Sequence, residues 1–148
     1  MKPVKIFVLL ADDREARFLV HEGVGKGLRQ IGHLDGGDSE EVAPGFAQRR
    51  GRSQGSVGAA RHAVEPRTTE EDLRREVFAA RVTGQAVALW VADGYDRLIV
   101  AAPAKMLAEL RARLPGPMTD KMAAALAKDL LHVALKDLPG HFSKVAAF

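Results

Sequence analysis

The sequence predicts a mixed α/β fold in which three consecutive strands precede alternating helices and strands. Three observations carry this. An apolar run rich in β-branched and aromatic residues, VKIFVLLA, is bounded by Pro3 and by Asp12 and Asp13, the pattern of a short strand buried on both faces. Closely spaced glycines soon after it suit tight hairpin connections. Past residue 68 the apolar spacing lengthens to three and four residues, the period of a helix.

Taken in order, residues 4–11 form the first strand, 16–21 (ARFLVH) the second and 28–34 the third, with a turn at Gly23, Gly25 and Gly27. Short turns between them indicate an antiparallel meander. A long connection, 35–67, follows. Thr68 with Glu71, or Thr69 with Asp72, supplies a capping box just after Pro66, and either opens a helix. Leu73, Val77, Ala80, Gly84, Val87 and Val91 recur along it as the expected inner stripe, with Phe78 and Val82 lying off that stripe. Trp90 is expected to pack into the core, and Gly94 is a natural stop. Residues 96–102 (DRLIVAA) read as another buried strand. Pro103 then suits the first turn of a second helix, whose inner face is Met106, Leu107, Leu110 and Leu114, and Pro115-Gly116-Pro117 ends it. Residues 121–131 have helical composition, yet 122–127 also fits a last strand, since propensity is a weak guide. Residues 139–148 fit a short final helix. The order is β-β-β-α-β-α, then a strand or helix, then α.

With 148 residues, 47% hydrophobic and 28% charged, the chain is expected to form one domain, 1–148, around one core. A formal net charge of +3 is mildly basic, too little by itself to prove nucleic-acid binding. No cysteine is present, which excludes disulfides, thiolate metal sites and a cysteine nucleophile. The apolar run 6–11 ends at Asp12 and Asp13 and is too short for a secretory core, and nothing approaches the length of a membrane span. The cytoplasm is the expected compartment.

The charge is concentrated rather than spread. Residues 49–67, RRGRSQGSVGAARHAVEPR, hold Arg49, Arg50, Arg52, Arg61 and Arg67 against the single acid Glu65. Guanidinium forks match phosphate geometry, and glycine lets backbone approach a ligand closely. A flexible basic loop over 35–67, placed before the first helix, therefore points to an anionic partner. The GVGKG turn around Lys26 lacks the spacing of a phosphate-binding P-loop. The histidines are scattered along the sequence, so neither a metal site nor a cofactor is expected. Aromatics make up 5% of the chain and none lies in the basic loop, which gives base stacking little support.

The element order resembles that of a ribonuclease H-like fold, which implies a central first strand with later strands parallel to it. It would set Asp12 at that strand's carboxyl end, where such nucleases carry a metal-binding carboxylate. The strand ending in Ala101, Ala102 and Pro103 offers no second acid, so two-metal cleavage is not expected. At finer grain, VKIFVLLADDREARFLV, AARHAVEPR, YDRLIVAAPAKMLAELR, KDL at Lys128 and LPGHF at Leu138 resemble a bacterial family named for attachment to host cells. That family is similar to a wider bacterial and archaeal group related to the middle domain of eukaryotic peptide-chain release factors.

This resemblance implies a ribosome-associated protein working near peptidyl-tRNA. The release-factor middle domain uses a Gly-Gly-Gln tip to help water attack the peptidyl ester. The nearest text here is Arg52-Ser53-Gln54-Gly55, which lacks the paired glycines and makes Gln54 the candidate catalytic residue. In the matched motif Arg61-His62-Ala63-Val64-Glu65-Pro66, Arg61 suits a phosphate, His62 titrates near neutrality, and Glu65 can orient either one or brace the loop against the helix start. Asp12, followed by Arg14 and Arg17, is a supporting candidate or a cap of its own turn. Three functions follow: an RNA- or ribosome-binding module using Arg49, Arg50, Arg52, Arg61, His62 and Arg67; a host-attachment factor whose loop meets an acidic protein; and a hydrolase of peptidyl-tRNA.

Overall fold

The computed structural model describes residues 4–36 and 69–144. Strand β1, Ile6–Ala11, is buried along its whole length and lies at the centre of a five-stranded sheet ordered β3-β2-β1-β4-β5. Its six apolar side chains require cover on both faces, which a central position supplies. β2 (Glu15–His21) runs antiparallel to β1, and β3 (Leu28–Asp35) antiparallel to β2. The intervening turn uses left-handed glycines, Gly25 at φ 87° and Gly27 at φ 69°, which a side chain would resist. On the other side β4 (Arg97–Ala101) is parallel to β1, and β5 (Met122–Leu126) is parallel to β4.

Helix α1 spans Glu70–Asp93, α2 Ala104–Arg113, the single turn α3 Gly116–Thr119, and α4 Leu138–Phe142. One sheet face, with Phe7, Leu9, Phe18, Leu98 and Val100, packs against α1 and α2. The other, with Ile6, Val8, Leu10, Leu19 and Ile99, is covered by Leu130, Leu131, Leu138 and Phe142. That carboxy-terminal cover is held by Arg17, whose Nη1 donates to the carbonyls of Leu131 at 2.7 Å and Val133 at 2.9 Å.

The cap frame of α1 is Thr69 with Asp72. Asp72 N–H donates to Thr69 Oγ1 at 3.0 Å, and Thr69 N–H donates to Asp72 Oδ2 at 3.2 Å, closing the reciprocal box. Gly94 ends the helix at φ 75°, its N–H donating to Trp90 O. The inner stripe expected for α1 is wrong. The buried face is Arg75, Phe78, Ala79, Val82, Thr83 and Ala86, while Ala80 and Gly84 are exposed and Val91 is 74% exposed. Two polar residues disguise that face. Thr83 Oγ1 donates back to Ala79 O at 2.9 Å, hiding its hydroxyl inside the helix, and Arg75 is neutralised by carboxylates.

Residues 122–126 settle as a strand despite their alanines. Leu98 N–H donates to Lys121 O and Ala102 N–H to Leu126 O, so the open edge of β4 outweighs local helix preference. The final helix stops at Phe142, earlier than expected. Trp90 is half-buried and meets Phe7 edge-on, with centroids 6.0 Å apart. Among the described residues no helix is long and apolar enough to cross a membrane.

Candidate functional site

Because β1, β4 and β5 run parallel, their carboxyl ends meet at one end of the sheet. The start of β2 and the end of β3 lie there too, with Glu15 opposite Asp35. In open α/β sheets this is the end where ligands are handled.

Asp12 makes the first turn at this end. Its Oδ1 accepts the N–H groups of Arg14 and Glu15, both at 2.7 Å, and its own N–H donates to Glu15 O at 2.9 Å. A carboxylate in this arrangement is an Asx-type cap that fixes the β1–β2 turn. The adjacent Asp13 projects to α1. Arg75 Nε donates to Asp13 Oδ1 at 3.2 Å and Oδ2 at 3.1 Å, and Arg75 Nη1 donates to Asp72 Oδ1 at 2.7 Å. The Arg75 side chain is only 11% exposed, so it forms a clamp between the turn and the helix start.

Asp72 serves both the clamp and the cap. The Arg75 guanidinium, and then the Thr69 backbone, hold its carboxyl below the ordinary range. Reciprocally, the Asp72 hydrogen bond raises the Arg75 guanidinium, whose positive charge is thereby fixed. Beside the clamp, Asp72, Arg75, Glu76, Lys105, Ala108 and Glu109 line a shallow cleft of about 350 Å³ between α1 and α2. Its three acids outnumber its two bases, so the cleft itself does not attract an anion. No group of three or more His, Cys, Asp or Glu side chains converges for a metal among the described residues.

Gly36 and Thr69 flank the segment 37–68, and both adjoin this same turn. A Cβ built on Gly36 would stand 3.3 Å from Arg14 O, and Thr69 is tied through Asp72 and Arg75 to Asp13. The residues on either side of 37–68 therefore both lie near the carboxyl end of β1. Of the sequence-derived site residues, Asp12 lies in the described part; Arg49, Arg50, Arg52, Gln54, Arg61, His62, Glu65 and Arg67 lie outside it. Sequence reasoning missed Arg75 and Asp13. Their available signals were an arginine three residues after a capping Asp, and a second acid beyond the strand.

The model of the family described as bacterial archaeo-eukaryotic release factor family 12 matches residues 5–141. The chain belongs to that family. No curated protein matches it in sequence. Among solved structures, one described as "Archaeal protein" is similar at a TM-score of 0.56 and 18% identity, over 96% of this chain and 34% of that one. The crystal structure of the archaeal translation termination factor aRF1 is similar at a TM-score of 0.55 and 17% identity, over 96% of this chain and 35% of that one. The release-factor-family chain thus spans about a third of the length of each. At these identities the likeness establishes the fold, a five-stranded mixed sheet with helices, in agreement with the mixed α/β expectation. Neither solved structure's description mentions attachment to host cells.

Proposed function

We propose that this chain is a release-factor-related module that works on the ribosome near peptidyl-tRNA, in the cytoplasm, through the segment 37–68. The observation that carries the reading is the root of that segment. Of its two flanking residues, Thr69 is tied through Asp72 and Arg75 to the turn at the carboxyl end of β1 and Gly36 lies against Arg14 of that turn, in a chain that belongs to a release-factor family. Arg49, Arg50, Arg52, Arg61 and Arg67 would meet RNA phosphates through bidentate contacts, with His62 beside them and Glu65 orienting either neighbour.

At the ester, Gln54 would orient a water molecule. The water oxygen bonds to the ester carbonyl carbon, the bond from that carbon to the ribose oxygen breaks, and a proton from that water passes to the departing ribose oxygen, which leaves as a hydroxyl. Placing water in this way lowers the barrier through orientation alone and needs no titrating side chain. Ser53 stands where a second glycine would give the backbone more freedom, so binding without turnover is the simpler form of the function.

Two measurements test this. Co-sedimentation with ribosomes across a salt series should show affinity falling with salt. The Arg49/Arg50/Arg52→Ala variant should lose affinity and flatten the log-log slope by about one for each phosphate contact removed. Equal binding by the variant and the parent refutes the phosphate contacts. Release of peptide from peptidyl-tRNA should vanish in Gln54→Ala with binding retained, whereas equal turnover in both proteins removes the catalytic role.

A second reading, in which the same arginines meet an acidic protein in host attachment, is favoured by the AARHAVEPR and LPGHF motifs. Partners that survive nuclease treatment would support it. We also read the sheet as ribonuclease H-like and the whole of 1–148 as one domain. The support is a central β1 with β2 antiparallel on one side and β4 parallel on the other.

A further inference from the structure

The last rung between β2 and β3 pairs two acids, Glu15 standing directly opposite Asp35. The N–H and C=O of Glu15 are both taken by Asp12, on the β1 side. The Glu15–Asp35 rung is therefore a non-hydrogen-bonded one, in which opposed side chains lie closest. Like charges directly opposite on a sheet are destabilising. Alternation along the two strands sets Arg17 and His33, the next such pair inward, on the same face as the acids.

These two basic neighbours are used differently. Arg17 turns away, its Nε donating to Gln30 Oε1 at 2.9 Å and its Nη1 to the carbonyls of Leu131 and Val133. His33 turns towards the rung, with Nε2 3.0 Å from Glu15 Oε2. The 3-10 turn Leu135–Asp137, which also meets β3, carries Lys136 and Asp137, one charge of each sign. The cover before it adds His132. Histidine is the side chain whose charge changes between about pH 5 and 8.

We propose that His33 is a pH-sensitive latch on the last rung of the β2–β3 ladder. Protonated, it offsets the repulsion between Glu15 and Asp35 and holds the end of β3 against β2; neutral, it lets that end open. A histidine that gains a carboxylate partner stabilises while it is protonated, and the contribution is lost as pH rises through its folded value. The latch lies just before Gly36, where the chain enters the segment 37–68, and it acts whatever that segment binds. The His33 and Glu15 side chains are 41% and 37% exposed, so water screens the pair and its effect on local opening is about threefold.

Amide hydrogen exchange in the full chain, resolved by nuclear magnetic resonance, tests the proposal. Ala16 and Leu34 form the hydrogen-bonded pair beside the rung, and their N–H groups report its opening. After correction for intrinsic rates, their protection should be about threefold higher at about pH 5.5 than at about pH 8. His33→Gln carries no charge at either pH and should show the lower protection at both. His33→Lys keeps its charge and should show the higher protection at both, which separates charge from the shape of the side chain. Equal protection of the parent at the two pH values overturns the proposal. So does a dependence that persists undiminished in His33→Gln.

Discussion

Replacing Arg75 with alanine should destabilise the protein and loosen the root of the segment 37–68. Arg75 is 11% exposed and donates to both oxygens of Asp13 and to Asp72. Charge-assisted bonds of this kind are each worth about 1.5–3 kcal/mol when one partner is left buried and unpaired. Here Asp13 is 45% exposed, so water can replace the guanidinium and most of that penalty is relieved. Adding the lost packing of the arginine stem, the net cost of removing Arg75 is about 2 kcal/mol. For a chain of this length that lowers the melting midpoint by about 6 °C.

Differential scanning calorimetry at neutral pH reads this directly, and Arg75→Lys should fall between the two because an ammonium cannot fork between two carboxylates. The difference also depends on pH. Asp72 is held below its ordinary value of 3.8. A depressed carboxylate contributes stability that is fully present above its unfolded value and lost as pH falls through the folded one. The gap between parent and Arg75→Ala should therefore be full at neutral pH and shrink below about pH 4. A midpoint shift under about 1 °C, or a gap unchanged by acid, would refute the clamp.

Other outcomes follow from the same packing. Gly84 sits within α1 with nothing within 4 Å of an added Cβ, so Gly84→Ala should stabilise by about 0.5–1 kcal/mol. Gly94 at φ 75° closes that helix, and Gly94→Ala should destabilise by about 1 kcal/mol; equal signs in a urea titration would contradict the cap assignment. Phe142 is fully buried under the second sheet face, so Phe142→Ala should cost about 4 kcal/mol. A loss below about 1 kcal/mol on chemical denaturation would mean that the carboxy-terminal segment is not an integral cover.

β1 was legible because its residues are uniformly apolar, whereas β2 and β3 carry polar residues and were placed by the glycine turn between them. Nothing polar interrupts residues 6–11, and the turn glycines between β2 and β3 admit no other reading. Met106, Leu107, Leu110 and Leu114 were legible on α2 for the same reason, and all four are buried. On α1 the rule of apolar spacing failed where polar atoms satisfy themselves internally: Thr83 bonds back to its own helix, and Arg75 is neutralised by acids from 62 and 3 residues away. β5 was ambiguous because alanine favours a helix in isolation, and only the edge of β4, distant in sequence, decides it. Among the site residues, Asp12 could be placed at a strand end from sequence. Its capping role needed the turn geometry, and the importance of Asp13 needed the fold to bring Arg75 to it.

The most direct measurement places a photo-crosslinking side chain at position 54 and irradiates the protein with translating ribosomes. Covalent adducts to peptidyl-tRNA, diminished in the Arg49/Arg50/Arg52→Ala background, are the expected result. Adducts confined to proteins or to this chain itself, with the same yield in both backgrounds, would contradict the release-factor-related account.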